Sequence, residues 1–374
     1  AALPQLGLQA GFGYSKDDST KALYGASQMQ ANRTVDLSLS QPLYTWGKIG
    51  AALKAAEVGL KTADQQLRLF RQAAFRDVSI AFYDVLLAKE LHRLAQENLA
   101  QKERHHTEAK RKFEAGVATD YDLLAAEVEL QNARPELIRT ENSIRTSRER
   151  LRFLLGADQP ELDVAGRIEA KPEQIPGFDE SLKIALDKRP ELADQKLRIG
   201  INQELVTIAN ADDKPRLDLK GTAGWHQLEV SDPGPRRQSD GPAWNAGIYL
   251  TFPFFDGLRS RGRTQQARSD LRTSQLQEQK LRDSIALELR TARYNLAESA
   301  ETITALSGTV KQAERLLQMA EKGFEYGVKT RLEVDDAQTN LLRAQSNLAR
   351  ANRDYLAASV NLLWAMGMAG EQEL

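Results

Sequence analysis

Cysteine is absent from the 374 residues. Disulfide staples, thiol catalysis and cysteine-ligated metals are excluded with it. Charge of one sign is equally scarce in excess: 51 Lys and Arg against 52 Asp and Glu leave a formal net charge of −1. That balance lacks the basic signature of a nucleic-acid binder, so no nucleic-acid partner is expected. Aromatic residues make up only 6% of the chain, and mean hydropathy is negative. No run of about 18 apolar residues occurs, so no transmembrane helix is predicted. The histidines are few, and adjacent His105 and His106 lie on different helix faces, a poor arrangement for joint metal ligation. No Ser/His/Asp order, phosphate-binding glycine loop or carboxylate pair stands out, so the sequence supports neither an enzyme nor a cofactor. A signal peptide is lacking too. The chain opens on a strand pattern already running, so an upstream piece is expected to be missing or processed.

What is present is a repeat. Phe113, Gly116, Val117 and Thr119 fall 211 positions before Phe324, Gly327, Val328 and Thr330, and Pro4, Pro42 and Gly156 are matched at the same offset by Pro215, Pro253 and Gly367. Two copies of a strand–strand–helix–turn–helix unit therefore make the chain. In each turn a glycine stops a helix, and a threonine followed three residues later by an acid starts the next one as a capping box: Thr119 with Asp122, Thr330 with Glu333. The predicted long helices cover about 65 residues each, or roughly 100 Å at 1.5 Å per residue. Asp120–Leu155 is predicted to be much shorter. Stacking a helical stretch over Phe178–Ala211, broken near Pro190, above it brings the return path back to the level of the strands, with the two glycine turns at the far end.

The helices carry an unbroken heptad seam, from Ile285 through Leu289, Leu296 and Ile303 to Phe324, and back from Val334 through Ala344, Ala351 and Tyr355 to Ala365. Such a seam predicts an antiparallel coiled coil. A second stripe, Leu342, Ala349, Leu356 and Leu363, gives the return helix apolar surface for another neighbour. Four strands of about ten residues alternate apolar with small or polar side chains. Leu6, Leu8, Ala10, Phe12 and Tyr14 oppose Gln5, Gly7, Gln9, Gly11 and Gly13 in the first, and polar loops are expected over 15–30 and 227–242. That length suits a tilted membrane strand. A membrane sheet must close, and four strands are too few for one chain to do so. Three copies would supply twelve strands around a lumen lined by Asp36, Ser38, Ser40, Asp218, Lys220 and Asn245. The alternative of another class is a soluble coiled-coil scaffold with a β module.

The Ser38-Leu-Ser-Gln-Pro-Leu-Tyr strand end, the Phe-x-x-Gly-Val-x-Thr turns, helices closing on Leu154-Leu-Gly and Ala365-Met-Gly, and Ala185-Leu-Asp-Lys-Arg-Pro-Glu-Leu192 together resemble the TolC family of outer-membrane efflux ducts. The resemblance spans essentially the whole chain. It implies a mainly α fold with a membrane β-barrel contribution, in which long antiparallel coiled-coil hairpins form an α-barrel and four strands per protomer form a twelve-stranded barrel in a homotrimer. The segments would be a first β-hairpin at 1–46, a first helical hairpin at 47–156, a connector and helix at 157–214, a second β-hairpin at 215–256 and a second helical hairpin at 257–374. It further implies a position in the Gram-negative outer membrane with a periplasmic helical body. The partners would be outer-membrane lipid, a periplasmic adaptor of the membrane-fusion type and an inner-membrane pump of RND, ABC or MFS type. The duct would open passively to release small molecules; type I protein secretion is the alternative use of the same duct.

Site residues follow position by position. Adaptor docking falls on Gly116, Val117, Ala118 and Thr119 in the first turn and on Gly327, Val328 and Thr330 in the second. A periplasmic gate falls on Glu333 and Asp336 as an acidic ring, on Lys329 linked to Asp122, and on Phe324 where the best-known member has tyrosine. Lysine in place of the family's arginine loses bidentate pairing, and Glu333 replaces an aspartate. Glu333 and Asp122 also have capping to do, whereas Asp336 has no local role and its counterpart in the first copy is Ala125. The second turn is therefore expected to gate, and both turns to dock.

Overall fold

The computed structural model describes residues 3–17, 28–158, 163–231 and 237–371. Its elements are β1 (Gln5–Asp17), β2 (Gln28–Tyr44), α1 (Lys48–Glu114), α2 (Asp120–Leu155), α3 (Phe178–Lys188), α4 (Pro190–Asn210), β3 (Arg216–Ser231), β4 (Arg237–Thr251), α5 (Arg259–Glu325) and α6 (Arg331–Ala365). The order is the repeated unit read from the sequence. The chain divides into two compact units, residues 1–63 with 194–278 and residues 64–193 with 279–374.

In the first unit the strands form one antiparallel sheet in the order β1-β2-β3-β4, so β1 and β4 each have a single neighbour. Register decides which side chains share a face. Leu6, Leu8 and Ala10 stand opposite Leu39, Leu37 and Val35, and the row continues through Gly221, Ala223 and Trp225 to Ala246, Trp244 and Pro242. Leu8, Leu37, Trp225 and Trp244 are all exposed. The opposite face carries Gly7, Ser38, Thr222 and Asn245 in one row and Gln9, Asp36, Gly224 and Ala243 in another.

The strands run to 13, 17, 16 and 15 residues rather than about ten. Ladder bonds join backbones, so polar residues extend the pairing past the apolar band; the Arg33 guanidinium donates to Gln227 Oε1 at 3.1 Å there. The expected loops shrink accordingly, and their middles lie outside the described residues. Asp218 also departs from expectation. It is fully enclosed, accepting from Arg216 Nε at 2.7 Å and pairing with Pro42 at the sheet's end. Asp36, Ser38, Ser40, Lys220 and Asn245 do share one face.

The second unit is built on the heptad seam. Leu289, Ala292, Leu296 and Ile303 of α5 interdigitate with Ala351, Tyr355, Ala358, Leu362 and Ala365 of α6. The second stripe of α6 also finds its neighbour: Ala349 and Leu356 pack with Ala81, Val85 and Leu86 of α1, Leu151 of α2 and Val164 and Ile168 of the connector. The connector is pinned to α6 by Ala170 N–H on Asn352 Oδ1 at 3.2 Å and Glu173 N–H on the Tyr355 hydroxyl at 2.9 Å.

The break near Pro190 is explained by its own residues. A residue before proline disfavours helical backbone, and Arg189 ends α3 with φ −67° and ψ 121°. Proline then opens α4, where its missing N–H costs nothing. The Arg189 guanidinium is enclosed, donating to Glu288 at 2.5 Å and Glu191 at 3.0 Å. Trp364 Nε1 donates to the same Glu288 at 3.1 Å. Replacing Arg189 with alanine leaves two carboxylates without their shared cation, and is expected to destabilise this unit by about 3 kcal/mol, the lower part of the range for breaking a buried pair because Glu288 is partly exposed. Thermal unfolding of the purified protein checks this; an unchanged midpoint would place the stabilisation elsewhere.

Candidate functional site

The two turns repeat one geometry. Gly116 has φ +74° and Gly327 φ +73°, the left-handed backbone that favours glycine. Their N–H groups return to Phe113 and Phe324, and the following valine N–H groups to Lys112 and Gly323. That double closure is a Schellman-type stop. Both capping boxes are present: Thr119 accepts from the N–H of Asp122 and Thr330 from that of Glu333, and each carboxylate accepts the cap residue's own N–H in return, at 2.9 and 2.8 Å.

These bonds set the charges of the tips. The Thr119 N–H, then its hydroxyl, holds the Asp122 carboxyl below its ordinary value. Glu333 is brought down to about 2, first by the Lys329 ammonium 2.5 Å away and next by the Thr330 N–H. A depressed carboxylate stabilises the fold above its unfolded value, and that contribution fades as pH falls through the folded one. Both caps therefore hold at neutral pH.

Valines 117 and 328 are each 76% exposed. Tyr121 and Leu124 in the first tip, and Tyr326 and Leu332 in the second, are also exposed. These four were not singled out by the turn motif. Their large apolar side chains beside the caps were the available signal, and together with the valines they give each tip an apolar surface.

The gate candidates separate. Within the chain no ion pair joins Lys329 to Asp122: the lysine is on Glu333 and the aspartate on Thr119. Phe324 packs with Leu317, Ala320, Val334 and Ala337, with Lys112 and Arg331 over its ring at 5.7 and 5.9 Å. Its position is the core of the tip. Asp336 is exposed and makes no hydrogen bond or ion pair among the described residues.

Its neighbour Asp335 is the carboxylate that the sequence reading passed over. It lies 3.3 Å from Lys102 Nζ, 3.2 Å from Arg331 Nε and 3.8 Å from His105 Nδ1, and Lys102 also bonds Glu129 at 2.9 Å. Gln101 and Gln338 hydrogen-bond in the same region. The cluster ties α1 and α2 of the first hairpin to α6 of the second. Asp335 flanks the seam position Val334, where charges between helices pair; that rule was the signal available. Burial, and then the positive charge of Arg331, pushes the His105 imidazole below its ordinary value.

Exposed apolar strands with two open edges, joined to coiled-coil hairpins with apolar tips, define a membrane channel protein. Among the described residues no helix is long and apolar enough to cross a membrane. The family model for outer membrane efflux proteins matches residues 1–157 and 182–368, and the chain belongs to that family. It is 27% identical over 390 residues to the outer membrane protein TolC of Vibrio cholerae, covering 100% of this chain and 84% of that one. It is likewise 27% identical over 346 residues to the alkaline protease secretion protein AprF of Pseudomonas aeruginosa, covering 90% and 70%. Among solved structures, the Campylobacter jejuni CmeC outer membrane channel superposes with a TM-score of 0.82 at 17% identity, covering 98% of this chain and 78% of that one. The protein is an outer-membrane efflux duct of the TolC type, mainly helical, with four strands per chain that contribute to a membrane β-barrel.

Proposed function

We propose that three copies close a twelve-stranded barrel, that the hairpin tips dock a periplasmic adaptor linked to an inner-membrane pump, and that the duct opens passively to release small molecules. One observation carries the reading: a four-stranded sheet with two unpaired edges and an exposed apolar band across one face. Such edges leave amides unbonded in hydrocarbon, so neighbouring copies must supply the missing strands. The protein is then a conduit without catalysis, and its substrate range belongs to the pump.

Docking rests on Gly116, Val117, Ala118, Thr119, Gly327, Val328 and Thr330, with Tyr121, Leu124, Tyr326 and Leu332 beside them. A side chain added at Gly327 meets open space, so Gly327→Trp fills the docking surface at the cost of about 1–2 kcal/mol of left-handed backbone strain. Efflux is expected to fall to the level of a deletion strain while the oligomer persists. Full efflux by this variant rejects docking at the tip.

For the gate, Asp336 is the ring residue, with Glu333, Lys329, Asp122 and Phe324 shaping the tip around it. Asp336→Ala is expected to raise single-channel conductance in planar bilayers without lowering thermal stability. Glu333→Ala should instead lower the unfolding midpoint through the lost half of the capping box. Identical conductance for Asp336→Ala and the parent channel removes the ring.

A second reading, protein secretion through the same duct, is favoured by the similarity to a protease secretion protein. The adaptor and pump captured by crosslinking at Val328 separate the two uses.

A further inference from the structure

Arginine on these helices commonly stands three or four residues from an acid and pairs with it. Arg93 bonds Glu90 and Glu97, Arg139 bonds Glu136, Arg145 bonds Glu141 and Arg152 bonds Glu149. Arg343 breaks that pattern. The positions three and four residues away hold Thr339, Asn340, Ser346 and Asn347, and the exposed guanidinium forms no hydrogen bond or ion pair among the described residues. Its counterpart 211 residues earlier is Asn132, so the first hairpin has no such cation at this place.

Arg343 lines a groove of about 350 Å³ between α5 and α6. The floor is apolar, with Leu306, Ala313 and Leu316 from α5 and Ala344 from α6. The two alanines leave a hollow that larger side chains would fill. Around it stand the amides of Gln312, Asn340 and Asn347, which make no side-chain hydrogen bond among the described residues, and no acid lines the groove. A second groove between the same helices, of about 410 Å³, differs in charge. Glu298 and Asp354 line it, and its Arg353 is already held by Asp84 at 2.7 Å and Asp354 at 3.1 Å. Among the described residues, only the first of the two grooves offers an unpaired cation.

The groove also has one open side. Beyond its first turn, the exposed residues of α6 keep to one stripe, from Asp336 through Asn340, Arg343, Asn347 and Arg350 to Asn361. The rest of the helix is covered by α5 on one flank, by α1 on the other and by the connector at Asn352 and Tyr355. In a closed wall of helices the uncovered stripe faces the enclosed water, the side on which the Asp336 ring stands in the reading above.

We propose that this groove binds amphipathic organic anions. Arg343 pairs with the carboxylate or sulfonate head, Gln312, Asn340 and Asn347 donate amide N–H bonds to it, and Leu306 and Leu316 carry the apolar body. The lack of an acid in the lining selects an anion over a cation, and the apolar floor selects an organic anion over an inorganic one. The inference rests on the duct reading above, which gives the groove its access from the interior of the tube. The pump still chooses what enters; the groove adds a resting place for one chemical class on the way out.

Fluorescence anisotropy of dansylate, a naphthalene sulfonate, tests it on the detergent-solubilised protein, with assembly checked by unheated electrophoresis. The parent is expected to bind dansylate, and Arg343→Gln to weaken binding at least about tenfold, the loss of one charge-assisted bond. Arg350→Gln, seven residues along the same stripe, should stay within about twofold of the parent. Naphthalenesulfonate should displace the probe, whereas naphthylmethylammonium, with the same ring and the opposite charge, should not. Equal affinity of the parent and Arg343→Gln overturns the site, as does equal displacement by the two competitors. Equal losses in Arg343→Gln and Arg350→Gln overturn the groove in favour of the general charge of the stripe. A parent protein that binds no dansylate while migrating as an oligomer overturns the site alone. A parent that migrates as a single chain overturns the duct reading and the inference with it.

Discussion

Gly224→Ala is expected to eliminate the assembled channel. Residue 224 stands opposite Asp36 in the middle of the β2–β3 ladder. A Cβ there would lie 2.2 Å from Val35 O, 2.3 Å from Asp36 Oδ1 and 2.9 Å from Asp36 Cα. The carboxylate can swing away, at the expense of its 2.8 Å contact with His226 Nε2. The backbone atoms of Val35 and Asp36 yield only if the strands part. Overpacking alone costs about 1–3 kcal/mol, and parting the central pair also breaks ladder bonds that hydrocarbon cannot replace. A one-residue slip offers no escape, since it turns the apolar row to the other face. Gly221→Ala is the control: its Cβ would meet Asn245 O at 3.5 Å and Ala246 Cβ at 3.9 Å, ordinary contacts. Outer-membrane fractions should contain the protein for Gly221→Ala and lack it for Gly224→Ala. Equal amounts would mean that the close approach of Gly224 to β2 does not constrain the sheet.

Asp335→Ala is expected to loosen the two hairpins of one chain. Lys102 and Asp335 are only 12% and 13% exposed, so their charges sit largely out of water. Asp335 is the carboxylate shared by Lys102, Arg331 and His105; without it Lys102 keeps Glu129 and Arg331 loses its partner. Breaking such a cluster from one side costs about 3–5 kcal/mol. The strain falls on the junction of α1, α2 and α6 near the tips, so the expected readout is a larger single-channel conductance together with a lower unfolding midpoint. Asp336→Ala is expected to move the first of these alone. Coincident behaviour of the two neighbours would remove the distinction between a bolt and a ring.

The cluster also has a pH sign. His105 has a folded value below its ordinary 6.5, because burial and the Arg331 charge disfavour imidazolium. Folding therefore favours neutral histidine. Its contribution is complete above about 6.5 and is lost as pH falls from there through the folded value. Below that range a further cation faces Asp335 beside Lys102 and Arg331. Acidification is expected to destabilise the parent protein more than His105→Gln, which has no charge to gain.

Much of this was legible in the residues because each rule had a period. The offset of 211, the four-three seam and the alternation of Leu6, Leu8 and Phe12 each name an element and its buried or exposed face. Both capping boxes could be read from four residues apiece. What escaped had no local signature. Asp335 acquires meaning only when α6 meets α1, a contact more than 200 residues apart in sequence. The enclosure of Asp218 depends on its place at the end of the sheet, opposite Pro42 and beneath the Arg216 side chain, which no residue pattern announces. The strands outran the apolar pattern because backbone pairing does not require apolar side chains.

In the outer membrane this chain is one third of a closed barrel. Electrophoresis of an unheated detergent extract of outer membranes tests it most directly. An oligomer near three times the chain's 41.7 kDa is expected, collapsing to the single-chain position on boiling. A band at the single-chain position before and after heating would contradict it.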